Sequence, residues 1–392
     1  MTAISLRAWN RALLARQLLL ARHDLDVVSA VRRLLVAQSQ SPPSAYLALF
    51  NRLSGFDPAA LDAAYADRRL VKASLLRLTL QTVAAEDLLS LETAVRPLLA
   101  SRLGDARFAD AGIARDEALA AAPEFLAELA ETRTGEHMEA WTQARFGEHP
   151  TPSVWWAMRY LLSVVHGPTG GPWSFGARPA FIASGQPSVD PDDADALRQA
   201  EDDLVRRYLA AFGPATTEDI AKFSVFLIGT IAPVLERLGD ELVEVTVEGR
   251  RRTHWDLADP DLALRPDPGT PAPPRLLGMW DDALLGCADR SRTLPEQIKK
   301  VVVRRNGDVL PSLLVDGYVA GTWRVVGDSE DGGGHRIEAH ALLPISEGDW
   351  DGLEVEAASM LALLGDREPA PYARYDHWWA KEMPSREVRL LG

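Results

Sequence analysis

The chain has 392 residues, 47% of them hydrophobic, with a formal net charge of −14, enough to build about two to four cored domains. No run reaches the ~18 apolar residues of a membrane span, and the N-terminus lacks the apolar core and cleavage site of a secretory signal, so the expected location is the cytoplasm with no membrane partner. One cysteine, Cys287, excludes an internal disulfide and a Cys-based zinc cluster, and eight scattered histidines without an HExxH pattern give no metal site.

The negative total argues against a nucleic-acid partner, because Lys and Arg supply most phosphate affinity. Basic residues nevertheless cluster, at Arg32-Arg33, at Arg68-Arg69 with Lys72 and Arg77, at Arg250-Arg251-Arg252 with His254, and at Lys299-Lys300 with Arg304-Arg305. Acidic residues cluster elsewhere, at Asp190 to Asp195, Glu201 to Asp203 and Asp328 to Asp331. Such separation favours one basic and one acidic face.

In chain order, residues 5 to 22 read as an amphipathic helix capped by Ser5. Asp24 or Asp26 starts a second, with Val28, Val31, Leu34 and Leu35 as its apolar stripe. A third helix is expected from Pro43 behind a Ser41 cap, and a fourth over Ala59 to Asp67 after Asp57-Pro58. From Leu70 to Val83, Leu76, Leu78 and Leu80 alternate with Arg77, Thr79 and Gln81, the pattern of one half-exposed strand. Three helices and a β-segment are the order of a winged helix.

The order recurs twice. Residues 124 to 146 and Ser153 to Val165 read as helices, and Gly167 to Ala180 as a glycine-rich turn and wing with Trp173 and Phe175. Then come a helix from Asp193 to Phe212, the stop Gly213-Pro214, and a Thr216 cap into a short helix. Another helix runs from about Gly229 to Leu238. Val243, Val245 and Val247 lead to a Glu248-Gly249 turn, with Arg250 to Trp255 as the return strand.

Pro266 to Pro274 reads as an extended linker. Beyond it Val301 to Arg304, Leu310 to Val315, Ala320 to Val326 and His335 to Leu342 are expected strands, with a helix at about Trp350 to Leu364. The expected fold is α+β: tandem winged helix-turn-helix units over 1–115, 116–190 and 191–265, then a small β-barrel-like domain over 275–392.

Between the second and third helices lies Val36-Ala37-Gln38-Ser39-Gln40-Ser41-Pro42-Pro43. In extended or turn backbone, positions i and i+2 point the same way, so Gln38 and Gln40 can aim two carboxamides at one spot. Spacing alone favours solvated loop glutamines.

Taken together, the chain resembles the winged-helix DNA-binding family that contains the bacterial AlkZ-type alkylpurine DNA glycosylases. The resemblance rests on Leu34-Leu35-Val36-Ala37-Gln38-Ser39-Gln40-Ser41-Pro42 with Ser44-Ala45-Tyr46, and on Gly55-Phe56-Asp57-Pro58. Further on it rests on Phe212-Gly213-Pro214-Ala215-Thr216, on Leu284-Leu285-Gly286 with Asp289-Arg290, and on Val315-Asp316-Gly317 with Gly321-Thr322-Trp323-Arg324. It implies a C-shaped arrangement of winged helices around a DNA-sized channel, with a Gln-X-Gln catalytic motif in which Gln38 and Gln40 take the two Gln positions. Ser39 departs from the family's aliphatic residue, and Gln81 stands where many relatives carry histidine.

The implied substrate does half the work. Alkylation at N7 of guanine makes the base cationic, so it leaves as a neutral group without a general acid. What remains is to position a water and stabilise an oxocarbenium-like sugar, which amide oxygens can do without ionising. A lyase step would need an amine, and no lysine lies near the motif in sequence until Lys72. The expectation is therefore a monofunctional glycosylase that hydrolyses the N-glycosidic bond and leaves an abasic site, acting as a monomer on double-stranded DNA bearing alkylated purines, with no cofactor. Arg250, Arg251, Arg252, His254, Arg68, Arg69, Lys72 and Arg77 are the expected DNA contacts. Asp281-Asp282 and Asp316 are weaker catalytic candidates, and Trp155-Trp156 and Trp173 weaker base-stacking ones. The rival is a non-catalytic winged-helix regulator, which explains the helices and leaves Gln-X-Gln unexplained.

Overall fold

The computed structural model describes residues 2–147, 153–176, 178–187, 193–259, 267–327, 334–380 and 383–392. Part of the acidic run at Asp190, the whole run from Asp328, and the start of the proline-rich linker lie outside them. Strand β1 (Thr2–Ile4) precedes helix α1 (Leu6–Arg16), whose first turn is held by Ala8 N donating to Ser5 Oγ at 3.1 Å. The helix is shorter than its apolar pattern suggests, because Leu18 turns to φ 56°. Asp26 caps α2 (Val27–Leu34). Strand β2 (Ala37–Gln38) leads into α3 (Ser44–Phe50), where Pro43 holds the cap position without a side-chain bond and the expected Ser41 cap is not formed. Asp57 caps α4 (Pro58–Ala66).

The single strand expected over Leu70 to Val83 is a hairpin, β3 (Leu70–Ser74) and β4 (Leu80–Ala84). Arg77 and Leu78 make the reversal at φ 55° and 58°, with Gln81 Oε1 accepting from Leu76 N at 3.0 Å. No glycine or proline marks this turn, and the leucine alternation runs through it in phase. Helices α5 (Ala85–Leu99) and α6 (Asp105–Ala111) follow, joined by a π-helical turn, then α7 (Arg115–Ala120) and α8 (Ala122–Glu128). Strand β5 (Arg133–Thr134) interrupts the helix expected over 124 to 146, and α9 (Gly135–Phe146) resumes it. Next, α10 (Ser153–Leu161) stops before β6 (Val164–Gly167), which returns as β7 (Ala180–Ala183).

The third helical run matches its pattern closely: α11 (Ala194–Phe212), α12 (Thr217–Ser224) behind a Thr216–Asp219 capping box, and α13 (Ile228–Leu238). Strands β8 (Leu242–Val247) and β9 (His254–Leu257) pair antiparallel, and β1 adds parallel to β8. Arg250 to Arg252 thus lie in the connection, not on the return strand.

Strand β10 (Arg275–Leu277) and short α14 (Asp282–Leu285) open the C-terminal region. Val301 to Arg304 is not a strand: α15 (Lys299–Val302) continues a 3-10 turn and buries Val302, and only Val303 makes a β-bridge, to Val309. Strands β11 (Ser312–Val315), β12 (Tyr318–Val326) and β13 (Arg336–Ala341) precede α16 (Glu347–Gly365) and β14 (Glu387–Leu391). The five strands β10 to β14 pair in chain order, and no described pairing joins β10 to β14. The result is an open antiparallel sheet with α16 packed on it, not a closed barrel.

The chain is mixed α+β, as expected. The six-stranded sheet orders β2-β4-β3-β6-β7-β5, so the first hairpin and the β6–β7 hairpin form one surface. One hydrophobic core joins α2 to α4 with the C-terminal sheet, including Tyr46, Leu47, Trp323 and Trp350. Trp173 belongs to that core, edge-on to Tyr46 at 5.1 Å, and Trp155 is buried against Phe181 at 4.9 Å. Neither is an exposed stacking platform.

Candidate active site

The Gln-Ser-Gln segment lies at the edge of the six-stranded sheet. Ala37 and Gln38 pair with Thr82 and Gln81 of β4, and Ser39 N continues the ladder to Leu80 O at 2.9 Å. Gln40 then leaves the strand. Its Oε1 accepts from Leu80 N at 3.4 Å, so its carboxamide caps the ladder's end. Ser39 Oγ donates to Ala37 O at 3.0 Å and meets Thr82 Oγ1 at 2.7 Å, which in turn meets Tyr65 OH at 2.6 Å. A serine therefore fits where an aliphatic side chain was expected, because its hydroxyl completes a buried polar cluster. Gln81, where the resemblance led to the expectation of a histidine, pins the β3–β4 turn through its oxygen, while its Nε2 is buried with no partner among the described residues.

The two glutamines differ in setting. Gln38 is 3% exposed and lines a small internal cavity with Ser44, Arg52, Gly278 and the Asp281-Asp282 pair, whereas Gln40 is exposed on the wall of an open pocket. The pairing geometry does not aim both carboxamides into one cavity. Gln38 N donates to Asp282 Oδ2 at 2.8 Å, and Arg77 Nη2 donates to Asp282 Oδ1 at 2.7 Å. Burial pushes the Asp282 carboxyl up, against the pull of Arg77. Asp281 caps α14 and holds Arg52 in a bidentate pair at 2.7 and 2.8 Å. Asp282 thus holds the motif's backbone together with Arg77, and Asp281 holds Arg52 beside it. Asp316, on the β11–β12 turn, is likewise held by Arg7 and Arg11.

The pocket beside Gln40 has a volume of about 200 Å³ and is lined by Lys72, His166, Phe175, Arg178 and Arg374. A second pocket of about 310 Å³ shares Lys72, His166 and Phe175 and adds Arg68. Among the described residues neither lining includes an Asp or Glu, in a chain of net charge −14. Arg68, Arg178 and Arg374 are exposed at the rim. His166, Arg178 and Arg374 were not anticipated, because they come from β6, the β6–β7 connection and the C-terminal segment, and only the sheet order brings them together.

The other expected DNA contacts are placed less openly. Arg77 is tied to Asp282 and lies 5.0 Å from the Phe223 ring centroid. Arg69 is exposed, 3.9 Å from Asp67. Arg250 reaches Asp289 at 3.5 Å and also bonds Ser291, and Arg252 reaches Glu218 at 3.3 Å, which leaves Arg251 exposed without an ion pair among the described residues. His254 is buried edge-on to Trp9. Among the described residues no cluster of His, Cys, Asp and Glu is placed to hold a metal, and no helix is long and apolar enough to cross a membrane.

Comparison with known proteins puts the chain among the DNA glycosylases. It belongs to the DNA glycosylase AlkZ-like family, whose profile matches residues 31–363. An interstrand DNA cross-link repair glycosylase of Streptomyces sahachiroi is 32% identical over 197 residues, 48% of this chain and 49% of that protein. The match thus spans about half the length of that curated relative. The solved structure of Streptomyces sahachiroi DNA glycosylase AlkZ superposes with a TM-score of 0.74 over 93% of this chain and 98% of that one, at 22% identity, and shows a shared fold. Two of the resemblance's glycines have steric reasons: a Cβ at Gly213 would strike Arg16 and Leu209 O, and one at Gly286 would strike Phe212.

Proposed function

We propose that the chain hydrolyses the N-glycosidic bond of cationic N7-alkylated purines in double-stranded DNA, leaving an abasic site. The observation that carries this reading is Gln40, standing on the wall of a cation-lined pocket whose described residues include no carboxylate. Arg178 and Arg374 hold phosphates at the rim, which sets the sugar against the amide. The 3.4 Å bond from Leu80 N is long, so Gln40 Oε1 exchanges it readily for the water or the sugar cation. Gln38, fixed by Asp282, supports the second amide position from behind. A glutamine cannot activate water against an uncharged leaving base, so labile cationic adducts are the substrates.

The three helical runs that end in the β3–β4, β6–β7 and β8–β9 hairpins are read as winged helices, bounded near residues 115, 190 and 265, working as a monomer around duplex DNA. Bulky adducts and interstrand crosslinks fall within the proposed range, since the curated relative is named for cross-link repair and the pockets are open on one side. The test is a panel of N7-alkylguanine duplexes of increasing adduct size, read by alkaline cleavage of abasic sites. Sequence-specific retention of undamaged DNA without any base release would instead make the protein a regulator.

A further inference from the structure

Strands β3 and β6 meet at one Cα pair, Lys72 and His166. Directly opposed residues of an antiparallel pair project from the same face of a sheet, and both side chains line the Gln40 pocket and its neighbour. The amine is therefore distant from Gln40 in sequence and shares its pocket in space. Lys72 is 4% exposed, its Nζ lies 4.7 Å from the Phe175 ring centroid, and it forms no ion pair or hydrogen bond among the described residues. Burial without a carboxylate pushes the amine down to about 8, so part of it is free base near neutral pH. His166 is held well below its ordinary range by burial and then by Arg159 and Lys72, and its buried Nε2 has no hydrogen-bond partner. A structural lysine at a sheet seam gains from a carboxylate or carbonyl partner, and among the described residues this one has neither.

We propose that Lys72 is an imine-forming nucleophile that acts on the abasic site, making the protein a lyase toward the product of its own hydrolysis; the inference rests on the hydrolytic reading above. The ring-opened abasic sugar presents an aldehyde at C1′. Neutral Lys72 Nζ adds to that carbon, and the carbinolamine loses its oxygen as water to leave a protonated imine. His166 then removes a proton from C2′. The electron pair forms the C2′–C3′ double bond, the C3′–O bond breaks, and the phosphate of the downstream strand departs. Water hydrolyses the imine and regenerates the amine. The step consumes no redox partner or cofactor, and it revises the expectation of a monofunctional enzyme.

The test supplies the abasic site ready-made, in a duplex from which a uracil has been removed, together with sodium borohydride. Borohydride reduces the imine to a secondary amine and leaves a covalent protein–DNA adduct on a denaturing gel. The adduct is expected with wild-type protein, with peptide mapping placing it on Lys72, and is expected to vanish in Lys72→Arg and Lys72→Met. His166→Ala is expected to keep the adduct and slow strand scission by about 100-fold, at the low end for a general base. No adduct from folded wild-type protein, or an adduct mapped to another amine, overturns the proposal, and unchanged scission in His166→Ala overturns the role of the imidazole. Base release from N7-methylguanine DNA, measured in parallel, tests the hydrolytic reading separately.

Discussion

Gln38 and Asp282 are joined across 244 residues of sequence by a backbone-to-carboxylate hydrogen bond of 2.8 Å. The same carboxylate holds Arg77, and its neighbour Asp281 holds Arg52, so a four-residue helix of the C-terminal region clamps the motif between α2 and α3. The position of the amides is therefore a tertiary property. Isolated from residues 281 and 282, the first helices would carry the motif without its geometry.

Asp282→Asn tests that clamp. The amide keeps the size of the side chain but leaves Arg77, 10% exposed, as a poorly compensated cation. Breaking a buried pair on one side costs about 3 kcal/mol or more. A drop of that order in chemical-denaturation stability is expected, with slower base excision in the fraction that folds. A variant as stable and as fast as wild type would show the clamp to be incidental.

Gln38→Ala and Gln40→Ala are expected to separate stability from chemistry. Gln40 is exposed, so its truncation should change stability by less than about 0.5 kcal/mol, while excision from N7-alkylguanine DNA falls roughly 10- to 1000-fold. Gln38 is buried, and its loss should cost about 1 to 2 kcal/mol as well as rate. Duplex binding should hold in both. Single-turnover excision and a denaturation curve on each variant decide the matter, and wild-type rates in both would make the residues loop glutamines.

What the sequence made legible follows a physical line. Caps and periodic helices were readable because their signals are local: Ser5, Asp57 and Thr216 cap where expected, and Asp26, one of two candidates, caps α2. The β3–β4 hairpin was not, since Arg77 and Leu78 enter left-handed backbone that nothing in a leucine-rich run announces and that tertiary contacts with Phe223 and Asp282 hold. The motif was legible, and so were Arg68 and Lys72 as basic residues, but His166, Arg178 and Arg374 were not, because they join that pocket only through the sheet order and the returning C-terminal chain. That Gln81 departs from the histidine the resemblance led one to expect was legible in sequence, and its consequence, a pinned turn, needed the structure.

Lys72→Met is expected to stabilise the protein at neutral pH. The folded pKa of about 8 lies below the ordinary 10.5, a difference worth roughly 3 kcal/mol at 1.36 per unit, which the Phe175 contact reduces by about 1. Between those two values the unfolded chain binds more protons than the folded one, so wild-type stability rises with pH across the window. The advantage of the methionine variant should therefore be full below about pH 8 and fade toward 10.5. Denaturation midpoints of both proteins at pH 7 and pH 10 measure it, and a gap that is constant or reversed would mean that Lys72 has a partner in solution.

The last prediction concerns where DNA phosphates bind. Sequence singled out Arg250, Arg251 and Arg252, but Arg250 and Arg252 already face Asp289 and Glu218, so displacing those carboxylates offsets what a phosphate would give. Only Arg251 is exposed without such a partner among the described residues, and the triple Ala variant should flatten the slope of log affinity against log salt by about 1 unit, not 3. Arg178 and Arg374 stand exposed at the rim of the Gln40 pocket, whose lining carries no carboxylate among the described residues. Replacing both by Ala should reduce the slope by close to 2 units, at about 0.9 per phosphate neutralised, and should lower excision as well, because those contacts seat the sugar. Titrations of each variant with one alkylated duplex between low and physiological salt give both slopes. A larger change from the hairpin than from the rim would move the DNA path away from Gln40, and the catalytic assignment would move with it.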